Sequence, residues 1–390
     1  MGQWSKDSWS DCWGPVKGSF LTETHIAALS WVDSTNYEHF FLYGTSMRDN
    51  KIYEYDNMHF YYWTDWSMLP GEHSTKFAPA AVAQNGRVYL FIIGENGDCL
   101  NYIGSIYLQK IGSCLPRYYF GIFSGQNFSE NQWGSEKGFG VSQSAPSAAF
   151  FAGNIYVFIT DVDGQIRYNT MDLNCRWGLS WHKVPALFKT DVAPAATVFN
   201  NKLYIFFKDK DNNHIFYSVM RDNGSWDIGK PYITTKYIGH GLKRKKTKKI
   251  IENTYCFHIS AGYPGELLSG GRTDHKGMTS SSLAADCGYS LHTKEYVLYL
   301  LHRTLNNQIY YITQNINDKW GIWGNDSQWH AIWGEVDSTY INTNGQRALS
   351  ICAPTAKTWY LQGRRILEVF HVRGDNKVYQ SQKFAPYPNK

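Results

Sequence analysis

Ser144-Ala-Pro-Ser-Ala-Ala-Phe-Phe-Ala-Gly-Asn-Ile-Tyr-Val-Phe-Ile159 and Val192-Ala-Pro-Ala-Ala-Thr-Val-Phe-Asn-Asn-Lys-Leu-Tyr-Ile-Phe-Phe207 align without a gap at a shift of 48 residues. A third copy is Phe77-Ala-Pro-Ala-Ala-Val-Ala-Gln-Asn-Gly-Arg-Val-Tyr-Leu-Phe-Ile92. Each copy then passes a polar turn and enters a short aromatic strand. Self-similarity at this spacing marks a repeat architecture, so it is read before any local feature.

The aromatic strands recur around the chain as Asn50-Lys-Ile-Tyr53, Asp98-Cys-Leu-Asn-Tyr102, Gly164-Gln-Ile-Arg-Tyr168, Asn213-His-Ile-Phe-Tyr217, Asn307-Gln-Ile-Tyr-Tyr311 and Asn376-Lys-Val-Tyr379. Each opens on Asn, Asp or Gly, the residues a tight hairpin needs. A Trp-bearing segment follows most of them. Trp9, Trp13 and Val16 show a W-x3-W-x2-V spacing, as do Trp177, Trp181 and Val184, and Trp329, Trp333 and Val336. Trp63, Trp66 and Leu69 contract it by one residue, while Trp226 and Trp133 are followed by Lys230 and Lys137 in the second place.

Four short antiparallel strands per unit of roughly 48 residues is the period of a β-propeller blade. Small residues in the first strand, such as Ala80, Ala81, Ala148, Ala149, Ala195 and Ala196, suit the crowded axis where blades converge. The reading is all-β, one β-propeller over residues 1–390. Blades are expected at 19–72, 73–140, 141–189, 190–233, 280–336 and 344–390. The chain ends in a third strand and begins with an orphan Trp strand, so residues 1–18 are expected to complete the last blade and remove its open edge. The segment 234–279 is either a degenerate seventh blade around Thr254–Ile259 or an insertion.

Composition agrees: 43% apolar, 18% charged and 16% aromatic residues exclude disorder as the main state. The longest apolar runs, such as Tyr296–Leu301, are strand-sized, so no membrane span is read. Net charge is +5, but six positive charges fall in one run, Lys243, Arg244, Lys245, Lys246, Lys248 and Lys249. Without that run the chain is near neutral, which argues against a nucleic-acid-binding face; a local polyanion contact at Lys243–Lys249 is the alternative to a solvated loop. Seven scattered Cys without a CxxC read as reduced thiols, and the scattered His suggest no metal site; no cofactor is expected. Met1-Gly-Gln-Trp-Ser-Lys-Asp7 carries no apolar leader, so no secretory signal peptide is read; the compartment is left open between the cytoplasm by default and release by a non-classical route.

Joined across the closure, Gly363-Arg-Arg-Ile-Leu-Glu-Val-Phe-His-Val-Arg-Gly-Asp-Asn-Lys-Val-Tyr-Gln-Ser-Gln382 and Trp4-Ser-Lys-Asp-Ser-Trp-Ser-Asp-Cys-Trp-Gly-Pro-Val16 resemble a blade of the Photorhabdus-type seven-bladed propeller lectins. Those repeats have a Gly-Arg-Leu-Glu-Val-Phe second strand, an Asp-Asn turn and a Trp-Ser-x-Trp outer strand. In outline the chain is also similar to Aleuria-type six-bladed fucose lectins, which hold sugar with an Arg, a Glu and an aromatic ring. The resemblance implies glycan partners. It offers Glu54 and Glu368 as acidic candidates, though no Arg lies on the preceding strand Phe40–Tyr43.

A pyranose has an apolar face that stacks on an aromatic ring and hydroxyls that want a few placed polar groups. One site per blade would add avidity. Trp13, Trp66, Trp181 and Trp333, toward the strand ends, are the expected platforms; the preceding Trp is expected to pack between blades. Two Trp four apart share a strand face, so burial of both is the competing reading.

Propeller glycosidases need paired carboxylates near the axis. Among the first strands only Asp286 is acidic, which points away from catalysis. The alternatives are an enzyme with one active site under the long loops 103–132 and 234–279, and a protein-interaction scaffold.

Overall fold

The computed structural model describes the chain from Gly14 to Phe384 apart from interruptions, of which 123–140, 259–278, 321–329 and 332–349 are the longest. The described residues contain no helix; they form six four-stranded antiparallel sheets and one two-stranded hairpin. Blade 1 is Ala27–Val32, Glu38–Thr45, Ile52–Asp56 and Ser67–Met68. Blade 2 is Ala80–Gln84, Arg87–Ile93, Cys99–Gln109 and Arg117–Ile122. Blade 3 is Ser147–Phe151, Asn154–Thr160, Ile166–Met171 and His182–Lys183. Blade 4 is Ala195–Phe199, Lys202–Lys208, Ile215–Arg221 and Phe257–His258. Blade 5 is Ala284–Ser290, Glu295–Arg303, Ile309–Gln314 and His330–Ala331. Blade 6 is Thr355–Leu361, Arg364–Val372 and Val378–Phe384, with Gly14–Pro15 as its fourth strand.

The first strands neighbour one another in chain order, and that of blade 6 lies beside that of blade 1. Second strands such as Phe40–Tyr43 and Leu203–Phe207 are near-continuous apolar runs because a neighbouring blade covers each face. The core is therefore divided among the blade interfaces. Phe206 and Tyr217 of blade 4 pack with Leu298 and Leu300 of blade 5, and Tyr299 and Tyr311 of blade 5 with Val369 of blade 6.

A six-residue lead-in sets each first strand, and its last residue begins that strand in every blade. The six are Thr22–Ala27, Thr75–Ala80, Ser142–Ser147, Thr190–Ala195, Thr279–Ala284 and Ser350–Thr355. The opening hydroxyl is buried in all six. In blades 1 to 5 it accepts the backbone N–H two residues on, at 3.1–3.3 Å. Ser350 Oγ instead donates to the Cys352 carbonyl at 2.8 Å. These bonds satisfy backbone groups that no sheet neighbour reaches.

The same opening residue ties its blade to the one before. The N–H groups of Thr75, Thr190, Thr279 and Ser350 donate to the carbonyls of Asn50, Gly164, Asn213 and Asn307, at 2.9–3.2 Å. Thr22 donates to Asn376 of blade 6 at 2.9 Å. All five acceptors have φ between 56° and 77°, in the left-handed region that Asn and Gly tolerate. Side chains add further clasps: Thr45 Oγ1 donates to the Phe77 carbonyl at 2.6 Å, Thr160 Oγ1 to Val192 at 2.8 Å, and Arg303 Nη1 to Ile351 at 2.7 Å.

Both segments read as long loops are partly sheet. Residues 103–109 and 117–122 belong to the third and fourth strands of blade 2. Phe257–His258, where a seventh blade was one option, is the outer strand of blade 4, pairing with Tyr217 and Phe216. Before it stands the hairpin Tyr232–Ile238 with Lys245–Ile251.

Candidate functional site

The outer-strand register shows which tryptophans are equivalent. Ser67, His182 and His330 pair with Glu54, Tyr168 and Tyr311, and Gly14 with Gln380, each two residues into its third strand. Trp177, Trp226 and Trp320 each bridge back to the end of the preceding third strand, at Met171, Met220 and Gln314. Trp320 is therefore the counterpart of Trp177 in blade 5, a role the spacing had given to Trp329. Connections of unequal length slide the W-x3-W pattern along the register.

All three rings of this set meet aromatic side chains of the preceding blade. Trp177 stands edge-on to Phe91 at 5.9 Å, Trp226 lies 5.9 Å from Tyr168, and Trp320 stands edge-on to Phe206 while its Nε1 donates to the Tyr217 hydroxyl. Such edge-to-face contacts favour inter-blade packing.

The expected platforms fare differently. Trp181 is 8% exposed and packs with Tyr89 and Phe91 of blade 2, so it belongs to the core and presents no open face. Trp66 is half-buried, stacked on Phe20 at 4.0 Å and on Tyr55 at 5.0 Å. Phe20 in turn requires Gly44, since a Cβ there would meet its ring at 2.7 Å. Trp13 and Trp333 lie outside the described residues. Glu54 and Glu368 are both buried, in the third strand of blade 1 and the second of blade 6. Glu54 pairs with Ser67 while the Trp66 ring stacks on Tyr55, so the two candidates of blade 1 lie on opposite faces of its sheet, and Trp181 and Glu368 stand in separate blades. Asp286 binds the Lys357 Nζ at 3.2 Å and the Thr358 N–H at 2.5 Å, joining blades 5 and 6 as a structural carboxylate.

Two accessible groups of side chains were read from the sequence only as turns. Asp49-Asn-Lys-Ile-Tyr53 and Asp375-Asn-Lys-Val-Tyr379 share one pattern, in adjacent blades 1 and 6. The Tyr53 hydroxyl donates to Asp49 at 3.1 Å, and that of Tyr379 to Asp375 at 2.9 Å. Both rings are half-exposed and both carboxylates exposed. The Arg373 guanidinium lies 3.9 Å from the Tyr379 ring centroid, a cation–π contact. Burial raises both phenols above their usual range, and the hydrogen-bonded carboxylates add to it. Desolvation lifts the Asp49 carboxyl, but bonds from the Lys51 N–H, Ser46 and Tyr53 outweigh it and hold the group low.

On the same face, residues of all six lead-ins surround an axial cavity of about 270 Å³. His25, in its wall, is held down to about 4 by burial, so the imidazole is neutral near pH 7. The buried Cys352 thiol is pushed up to about 12, an unreactive state. Among the described residues, no group of three or more His, Cys, Asp or Glu is placed to hold a metal, and no helix is long and apolar enough to cross a membrane.

The solved Aleuria aurantia lectin, a fungal six-bladed β-propeller with a fucose recognition mode, superposes with a TM-score of 0.53 at 13% identity, over 94% of this chain and 96% of that one. The fold is that of the six-bladed propeller lectins. A variant of the same lectin bound to Fucα1-6GlcNAc gives 0.53 at 13% identity, over 93% and 92%. AofleA from Arthrobotrys oligospora gives 0.54 at 10% identity, over 93% of this propeller and 84% of that chain. No family model and no curated protein matches the sequence.

Proposed function

We propose that this propeller binds carbohydrate at several peripheral sites, with Tyr53 and Tyr379 as aromatic platforms. The observation that carries the reading is the repeated Tyr–Asp pair in neighbouring blades, at 3.1 and 2.9 Å. Each pair combines a half-exposed ring, for the apolar face of a pyranose, with an exposed carboxylate able to accept two vicinal hydroxyls. Its likeness in fold to lectins that take fucosides supports the same ligand class. Trp13, Trp66 and Trp333 remain the tryptophan members of the proposal. Trp181, Glu54 and Glu368, being buried, serve the sheets.

Immobilised glycans and isothermal titration test this. Tyr53→Ala and Tyr379→Ala are each expected to remove one site at a stability cost of about 1–2 kcal/mol with cooperative unfolding retained, because each ring is half-buried against a blade interface. Unchanged stoichiometry in the double variant would remove tyrosine platforms from the proposal.

A further inference from the structure

The six lead-ins converge on the axis, and comparing them position by position shows where the ring departs from its own pattern. The fourth residue is Ala in blades 2, 3, 4 and 6, where Ala78, Ala145, Ala193 and Ala353 are all at most 4% exposed. Their methyl groups are the smallest side chains that cover the backbone, and at the meeting point of six strands they leave a shallow apolar floor. Blades 1 and 5 carry His25 and Ser282 at this position instead. Ser282 Oγ accepts the Ala193 N–H across the blade 4–5 interface at 3.1 Å.

The third position departs as well. In four blades its side chain is bound back onto the next carbonyl: Thr24 to His25 at 3.0 Å, Ser144 to Ala145 at 3.4 Å, Ser281 to Ser282 at 3.0 Å and Cys352 to Ala353 at 3.4 Å. Blade 2 places Phe77 there, a half-buried aromatic ring packed against Ala78, Ala145 and Ala193. An aromatic wall beside a floor of methyls is the apolar half of a binding site. The second position supplies the polar half, with Gln143 and Asp191 exposed at the rim.

Charge decides what fits. Asp191 Oδ1 lies 2.8 Å from Lys208 Nζ, which is itself buried and also donates to Asn213 Oδ1 at 3.0 Å. The rim carboxylate is therefore neutralised by its own ammonium and keeps oxygen lone pairs for a hydroxyl. It is also the one carboxylate among the described lining residues, so the acid and base that glycoside hydrolysis requires are not both there. The cavity, at about 270 Å³, lies just under the roughly 300–1,000 Å³ of drug-sized ligand sites.

We propose that the axial cavity is a single binding site for a neutral, monosaccharide-sized polyol, seated against Phe77 and hydrogen-bonded at the rim by Gln143 and Asp191. It shares no residue with the Tyr53 and Tyr379 pairs, so it stands or falls independently of the peripheral sites.

The experiment titrates the full chain with L-fucose, D-galactose, D-mannose, N-acetyl-D-glucosamine and myo-inositol, by calorimetry and saturation-transfer NMR. Three variants are compared: Phe77→Leu, which keeps apolar volume and removes the aromatic face; Gln143→Trp, which plugs the mouth from an exposed position; and the double variant Tyr53→Ala/Tyr379→Ala. At least one probe is expected to keep, in the double variant, one equivalent that Gln143→Trp removes, in addition to any equivalents held at Trp13, Trp66 and Trp333. Phe77→Leu is expected to weaken that equivalent between about twofold and tenfold, the value of an aromatic stacking contact. Gln143→Trp is expected to abolish it with the melting temperature unchanged. Saturable binding untouched by both axial variants, or no binding of any probe to the double variant, would overturn the axial site. Loss of the axial equivalent with peripheral stoichiometry intact would support it and leave the peripheral reading standing.

Discussion

Trp181→Ala and Trp177→Ala separate a core tryptophan from an edge one within a single blade. At 8% exposure, Trp181 packs in the blade 2–3 interface among Tyr89, Phe91, Ile155 and Val157. Truncation there leaves a cavity that two rigid sheets cannot close, and such changes cost about 3–5 kcal/mol. Trp177 is only half-buried and meets Phe91 edge-on at 5.9 Å. Losing that contact and half the ring's burial costs about 1–2 kcal/mol. Urea unfolding with a tryptophan-independent probe, far-UV circular dichroism, reads the two midpoints, and the m-value checks that cooperativity is kept. The order expected is wild type, then Trp177→Ala, then Trp181→Ala by a margin of about 2 kcal/mol. If Trp181→Ala costs less than Trp177→Ala, or if it removes a sugar site without destabilising, the ring is a ligand platform and the packing account is wrong.

Acid should loosen the propeller through its second strands. Burial holds His302 and His371 down to about 3, so between pH 6.5 and that value the unfolded chain binds protons that the folded one refuses. Stability is complete above about pH 6.5 and falls with pH, by about 3–5 kcal/mol between pH 7 and 4.5 for the two together. Urea midpoints at pH 7, 5.5 and 4.5 measure it; a slope unaltered in His302→Gln would remove that histidine from the account. Deleting residues 1–18 should strip Gly14–Pro15, the buried Val16 and its 2.8 Å bond to Val378, exposing Val378–Phe384 as an edge. Self-association on size exclusion is expected. A monomeric truncated chain with an unchanged melting temperature would show that ring closure does not depend on this strand.

The blade pattern was legible because its determinants are local. Alternation, small first strands and an Asn, Asp or Gly turn at each third strand are properties of short stretches, and the φ values at Asn50, Asn213, Asn307 and Asn376 show why those turns repeat. The tryptophan roles were not legible. Spacing within a segment cannot fix its register against the preceding strand when the connection varies, so the W-x3-W pattern points to Trp329 where the register selects Trp320. Exposure was equally hidden at Trp181, whose burial comes from a neighbouring blade 90 residues earlier in sequence. The Asp49–Tyr53 and Asp375–Tyr379 pairs carried a signal, a shared five-residue pattern. The axial cavity carried one in the six Thr or Ser lead-ins, visible once the first strands are aligned by their starts.

Five of the bonds that join one blade to the next run from a backbone N–H to the carbonyl of a turn residue. Because neither partner is a side chain, a blade copied and inserted anywhere in the ring brings half of each joint with it, whatever its surface has become. Drift is tolerated as long as one position keeps a residue at ease with positive φ. This accounts for a ring whose joints persist although the exposed residues of its units differ from blade to blade. It also accounts for blade 4 accepting a whole hairpin between its third and fourth strands, on the side of the blade away from the joints.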